Sequence, residues 1–223
     1  VTSVGYEGFP PGFFDRDDPT PDADFYGMPR LVTHLDDRAI AAVGGLYAEL
    51  GIDGDTASPR RVLDLMSSWV SHFRLPPAEL VVLGMNEAEL AANPAATRYV
   101  VADLNADPAL PFDDTSFDAV TCCVSIDYLV HPIEVLREAA RVLRPGGVLA
   151  ITFSNRCFPT KAIQGWLATD DGGRCAIVAE YVRRAGGFTR PEVALRTPPR
   201  LFGDPLYAVV ARTSSPPDGV TVD

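Results

Sequence analysis

Asp118-Ala119-Val120-Thr121-Cys122-Cys123-Val124 and Val148-Leu149-Ala150-Ile151-Thr152-Phe153 are two short apolar runs, each long enough for one strand. A helix fits between them over 132–143. Arg144-Pro145-Gly146-Gly147 stops it, because proline cannot continue a helix and glycine lets the chain reverse. Strand, helix, strand is the unit of a parallel sheet.

The same alternation extends outward. Towards the N-terminus, strands are expected at 61–65, 80–83 and 99–102. Towards the C-terminus, helices fit 160–168 and 174–185. Strands at 192–196 and 206–211, joined only by a Pro/Gly-rich loop, should pair as a hairpin. The expected fold is α/β, a mostly parallel sheet covered on both faces with an antiparallel hairpin strand at its end.

The first 58 residues differ in character. Pro10, Pro11, Pro19, Pro21 and Pro29 forbid a long helix over 1–30, and Tyr6, Phe9, Phe13, Phe14, Phe25 and Tyr26 argue against a freely solvated tail. This stretch should be an irregular arm packed on the domain. A helix is expected over 36–50, with Ile40, Val43, Leu46, Tyr47 and Leu50 at helical spacing and Gly51 as its stop. The expected organisation is an arm and helix over 1–58, acting as lid or substrate cap, a ligand-binding domain over 59–212 and a fraying tail over 213–223.

Composition narrows the function. The formal net charge is -11 and the basic residues are scattered, so a phosphate backbone is a poor partner. No apolar run is long enough to span a membrane, and from a start of Val1-Thr2-Ser3, with no basic stretch followed by an apolar one, a secretory signal is not expected. Cys122, Cys123, Cys157 and Cys175 form no C-x-x-C pair. They suit neither zinc nor a disulfide framework, and are expected as core thiols in a reducing, cytoplasmic setting.

In an open α/β sheet, ligands bind beyond the carboxyl ends of the strands. The residues there are Asp64-Leu65-Met66-Ser67-Ser68, Gly84-Met85-Asn86, Asp103-Leu104, Cys123-Val124-Ser125 and Ser154-Asn155. Two longer motifs accompany them: Leu110-Pro111-Phe112 leading to Phe117-Asp118-Ala119-Val120, and Glu138-Ala139-Ala140-Arg141-Val142-Leu143-Arg144-Pro145-Gly146-Gly147. At this separation they resemble the class I S-adenosylmethionine (SAM)-dependent methyltransferases, in particular the small-molecule "type 11" group. The resemblance covers about 150 residues.

The resemblance implies a Rossmann-like seven-stranded sheet, SAM as cofactor, and a small-molecule methyl acceptor. It implies no metal. It also implies roles. Asp64 would orient the SAM loop or meet the methionine ammonium. Asn86 stands where the family usually places an acid on the ribose hydroxyls, and an amide can still donate and accept one bond there. Asp103 would accept from the adenine amino group, with Met85 and Leu104 on either face of the ring. Cys123 and Val124 would offer backbone near the sulfonium.

One departure is large. The family loop is D-x-G-x-G-x-G, whereas Met66, Ser68 and Val70 stand at its glycine positions here. Such a loop needs a wider turn, or side chains such as Ser67, Ser68 and Ser71 to hold the methionine moiety. The Asp64–His72 run, with Phe25-Tyr26 and Pro29-Arg30 upstream, is similar to a subfamily of unassigned substrate.

Of the three histidines, His34 in the arm is the candidate general base. His131, before Pro132, reads as structural. Tyr128 is a second candidate catalytic group, with Tyr26, Arg30 and Asn155 as substrate contacts. Two alternatives to methyl transfer remain. One is the same fold used for binding or for a non-methylating reaction. The other is a nicotinamide oxidoreductase, which would need the G-x-G-x-x-G this chain lacks.

Overall fold

The computed structural model describes residues 5–54, 59–197 and 203–214. The expected domain boundary near 58, the loop joining the last two strands and residues 215–223 of the expected tail fall wholly or partly outside them.

Seven strands form one sheet: β1 (Arg61–Leu65), β2 (Glu79–Gly84), β3 (Arg98–Val101), β4 (Phe117–Cys123), β5 (Leu143–Phe153), β6 (Glu192–Leu195) and β7 (Tyr207–Arg212). Their order is β3-β2-β1-β4-β5-β7-β6. The first five are parallel, and β7 runs antiparallel to both β5 and β6. The order reverses between β1 and β4, and β1 beside β4 is therefore the switch point at which ligands gather.

The central strands are apolar on both faces because both are covered. Leu63, Val120, Leu149 and Ile151 point into one layer, beneath α4 (Pro132–Val142) and α6 (Asp171–Ala185). Val62, Leu80, Ala119 and Ala150 point into the other, with Val43, Leu46 and Tyr47 of α2 (Asp37–Glu49). Full burial of one such aliphatic side chain contributes about 1.5–3 kcal/mol. Asp36 caps α2 by accepting from the Ala39 N–H at 2.8 Å, and Gly51 follows at φ +65°, the left-handed position that glycine fills without strain.

Three elements depart from expectation. A short helix, α1 (Asp22–Tyr26), forms within the proline-rich arm, with Pro21 just ahead of it where no N–H is required. The helix expected over 160–168 shrinks to α5 (Gln164–Leu167). Its backbone donors are taken by tertiary partners: Ile163 N–H goes to Asp127 O, Gln164 N–H to Asp15 O and Gly165 N–H to Phe13 O. The Arg144–Gly147 stretch is part of β5: Leu143 pairs with Phe117, the register then shifts, and Val148 pairs with Ala119. At the other end, Thr213 is still tied to Gly147 and bridged to Phe188.

The arm divides into two parts. Tyr6, Phe9, Phe13 and Phe14 cluster edge-on and pack on Tyr181 of α6, on the outside of the sheet. The outer end of the Phe13 ring packs against Gly165, where any Cβ would meet it at 2.3 Å. The second part, from Asp22 to His34, crosses to the carboxyl ends of the strands. Between them Lys161, fully buried, holds Asp18, Thr20 and Asp22, and Arg16 chelates Asp22 at 2.7 and 2.8 Å.

Candidate functional site

A cavity of about 520 Å³ opens at the carboxyl ends of β1, β2, β3 and β4, roofed by Asp22 to His34 and bounded on one side by Asn155 to Pro159. Every site residue expected from the sequence lines it: Asp64, Met66, Ser67, Ser68, Met85, Asn86, Asp103, Leu104, Cys123, Val124, Tyr26, Arg30, His34, Tyr128 and Asn155.

Asp64 lies at the base and is buried. Its Oδ1 accepts from Thr121 Oγ1 at 2.6 Å, and its Oδ2 from Ser67 Oγ and Ser71 Oγ, both at 2.7 Å. Burial raises its carboxyl above the usual range, opposed by these three hydroxyls. With these acceptor positions filled, Asp64 shapes the loop. The serines differ from expectation for the same reason. Ser67 and Ser71 donate to Asp64, and Ser68 donates to Glu89 at 2.7 Å. Their hydrogens are committed within the protein, which leaves the Ser67 and Ser68 hydroxyls lone pairs alone to offer, while Ser71 Oγ already accepts from Asn93.

The glycine-free loop keeps a glycine-like turn. Met66 has φ +52°, at the first glycine position of the family pattern. A side chain there costs about 1 kcal/mol. The loop then lies close against β2: Ser67 N–H donates to Leu83 O at 2.8 Å, and a Cβ on Gly84 would stand 2.2 Å from Ser67 O. Glycine is therefore required at position 84, one strand away from where the family pattern places it. Across the switch point Val124 has φ +48°, a rare state for a β-branched residue. Ser125 Oγ links the two strained turns, contacting Met66 O at 3.3 Å and Cys123 O at 3.0 Å. The space above Met66 and Val70 belongs to the open cavity.

Asn86 caps α3 (Glu87–Ala92) by accepting from Glu89 N–H at 3.1 Å. Its Nδ2 donates to Tyr26 O at 2.8 Å and Gly27 O at 3.3 Å. The amide hydrogens are committed to the roof, so the balanced ribose contact expected of this residue reduces to one acceptor site on Oδ1. Asp103 Oδ1 accepts from Asn105 and Ala106 N–H, while its Oδ2 has no hydrogen bond among the described residues. Leu104 is buried and Met85 half-buried, and both line the cavity. Burial pushes the Cys123 thiol up to about 12, which leaves it protonated and non-nucleophilic.

On the roof side, Tyr128 Oη accepts from Phe158 N–H at 2.9 Å, and burial pushes its hydroxyl far above the ordinary value. Tyr128 stays protonated at neutral pH, so it can donate a hydrogen bond but neither release its proton readily nor act as a base. His34 sits edge-on to Phe158 at 5.3 Å. Desolvation, opposed by Glu89 and reinforced by Arg30, holds its imidazole below the ordinary value, hence neutral near pH 7.

Several residues of the site were not singled out from sequence. Glu89 takes the Arg30 N–H at 2.6 Å as well as the Ser68 hydroxyl. Asn93 Nδ2 donates to Ser68 O and Ser71 Oγ, both at 3.0 Å. Asn105 joins Asp22 to Tyr128 O. Phe158 packs against Phe25, His34 and Tyr128.

Residues 76–151 match a family model described as a methyltransferase domain. Among curated proteins, the chain is 40% identical over 86 residues to the ubiquinone/menaquinone biosynthesis C-methyltransferase UbiE of Roseobacter denitrificans, covering 38% of this chain and 32% of that one. It is 35% identical over 77 residues to the mitochondrial 2-methoxy-6-polyprenyl-1,4-benzoquinol methylase of Bos taurus, covering 34% and 22%. The chain thus spans about a third or less of the length of these relatives. Among solved structures, the [4+2]-cyclase SpnF superposes with a TM-score of 0.58 at 17% identity, covering 85% of this chain and 90% of that one. A SAM-dependent methyltransferase from Archaeoglobus fulgidus does so with a TM-score of 0.54 at 14% identity, covering 78% and 94%. At these identities the likeness is one of fold.

Proposed function

We propose that this chain, which carries a methyltransferase domain on the class I SAM-dependent methyltransferase fold, binds SAM in the cavity at its switch point and transfers the methyl group to a small molecule. The observation that carries this reading is the open volume above a loop that has lost its glycines. About 520 Å³ is within the range of small-molecule and cofactor pockets, and Gly84 and the left-handed Met66 supply the close approach that the missing glycines would have given.

In this reading the adenine end lies between Met85 and Leu104 with Asp103 Oδ2 as acceptor, and the ribose meets Asn86 Oδ1. The methionine ammonium faces the serine oxygens that Asp64 orients, and backbone at Cys123 and Val124 borders the sulfonium. SAM supplies an already activated methyl group. The protein's share is alignment of the acceptor and exclusion of water, and positioning of that kind supplies about 7–11 kcal/mol in favourable cases. Where the acceptor must lose a proton, the neutral imidazole of His34 takes it. Tyr128, protonated, donates to an acceptor oxygen, while Tyr26, Arg30 and Asn155 form the acceptor wall. The roof over Asp22 to His34 acts as the cap.

The curated relatives act, by their names, on quinone precursors, and the aromatic wall of this cavity suits a ring-bearing acceptor. A second reading keeps the ligand but not the transfer. It is favoured by the commitment of Asn86 to the roof, and by a similar fold whose name describes a cyclase. The two separate in one experiment: methyl-labelled SAM is incubated with the protein and a panel of phenols, amines and carboxylic acids, and products are read by mass. A product gaining one labelled methyl supports transfer. SAM bound at stoichiometry, with no product from any acceptor, overturns it in favour of the second reading.

A further inference from the structure

The charges lining the cavity are not evenly matched. Asp22 is paired with Arg16 at 2.7 Å and with Lys161 at 3.3 Å. Asp64 is met by three hydroxyls, and Glu89 accepts from Arg30 N–H and Ser68. Arg30 differs. Its guanidinium donates to the neutral carbonyl of Phe25 at 2.8 Å and has no carboxylate partner among the described residues. It is held in place by rings, lying 4.6 Å from the centre of Phe25, 5.7 Å from Phe158 and 6.0 Å from Tyr26. Cation–π contacts of this kind fix the orientation of a guanidinium without neutralising its charge.

Position completes the argument. Phe158 packs 6.0 Å from the Tyr128 ring at an interplanar angle of 32° and 5.3 Å from His34. These residues line the same cavity as Asp103 and Met85: Tyr128 O accepts from Asn105, and Glu89 holds the Arg30 N–H. Arg156 adds a second cation at the rim. It is 61% exposed, and its Nε is anchored by Asp204 at 2.6 Å. An oriented, unpaired guanidinium beside aromatic walls is the arrangement that recognises a planar acid: the fork meets the carboxylate and the rings meet the face.

We infer that the acceptor is an aromatic carboxylate, with its acid group on Arg30 and its ring against Phe158 and Tyr128. This rests on the methyl-transfer reading for the word acceptor, but not for the site itself. The rival position for Arg30 is on the carboxylate of SAM, and the two make opposite predictions for one variant.

The test is ligand-detected NMR titration of the full chain with benzoate, with neutral benzamide and hydroquinone as matched probes, each with and without S-adenosylhomocysteine (SAH). Benzoate should bind saturably and about tenfold or more tighter than either neutral probe, as expected for a charge-assisted bond over a neutral one. R30Q should remove that preference and leave SAH affinity within about twofold, and R30K should restore part of it. Equal binding of benzoate and benzamide to the wild-type protein overturns the inference, and needs no variant to fold. So does R30Q that retains the benzoate preference, or that loses SAH while retaining benzoate. Benzoate bound with its preference but no SAH bound at all would leave this site standing and remove the methyl-transfer reading.

Discussion

The floor and the roof of the cavity are built on different terms. On the floor, the Asp64 carboxylate, the three hydroxyls around it and the Asn93 amide satisfy one another at 2.6–3.0 Å beneath buried strands. On the roof, the stretch after α1 leaves Met28 77% exposed and Leu31 and Val32 each 56% exposed. It is tied down by Asn86 to Tyr26 and Gly27, by Glu89 to Arg30 and by Trp69 Nε1 to Val32 O. Its other end is clamped by the buried Lys161 and Arg16 on Asp22. The difference teaches where rigidity ends: the floor is part of the core, whereas the roof is pinned at α1 and latched beyond it. Such a segment belongs to the low-stability end of a fold.

The harshest way to break this contrast is at Asp64. Asp64→Ala strands the buried hydroxyls of Thr121, Ser67 and Ser71 together, and should cost about 3 kcal/mol in urea unfolding and abolish SAH binding. A loss below about 1 kcal/mol would mean that the floor is not knitted as described.

Several buried side-chain polar atoms have no hydrogen-bond partner among the described residues, and one of them belongs to a carboxyl group. Asp127 is buried, its Oδ2 has no partner, and desolvation pushes it up to about 7 from an ordinary 3.8. A carboxyl with a raised folded value holds its proton more tightly in the folded state. Its contribution to stability is therefore lost as pH climbs from about 4 towards about 7 and stays lost above. Asp127→Asn should stabilise the protein by about 2 kcal/mol near pH 8 and change little near pH 4, read from chemical denaturation at the two pH values.

The roof is tested at its latch. Asn86→Ala removes the α3 cap and both roof ties. It should cost about 1 kcal/mol globally while sharply accelerating limited proteolysis between residues 27 and 34. Unchanged cleavage there would make the roof as rigid as the floor. The smallest effect belongs to Met66→Gly. It relieves a strained φ and removes a half-buried side chain, so these changes of about 1 kcal/mol each should nearly cancel, with thermal stability and SAH affinity almost unmoved.

These elements also mark what the sequence made legible. Apolar runs and Pro/Gly stops were enough for the strands, their hairpin and the helices carrying an internal apolar period, because burial on both sheet faces imposes that pattern. Helix 160–168 shortened for a reason no local pattern carries: its donors went to Asp15, Phe13 and Asp127. Site residues at strand ends were legible because topology places strand ends together. Glu89 carried a signal that passed unused, the Asn86-x-x-Glu89 spacing of a capping box, although here Glu89 reaches the arm rather than the cap. Phe158, Asn105 and Asn93 had none, since their neighbours are far off in sequence. The sequence also showed which glycines were missing, but not that Met66 would adopt their backbone state.

Calorimetric titration of the intact chain with SAH tests the central claim most directly. The account predicts saturable binding at one site per chain, with affinity lost in Asp64→Ala and kept in Met66→Gly. A folded wild-type protein that takes up no SAH at millimolar concentration would contradict it.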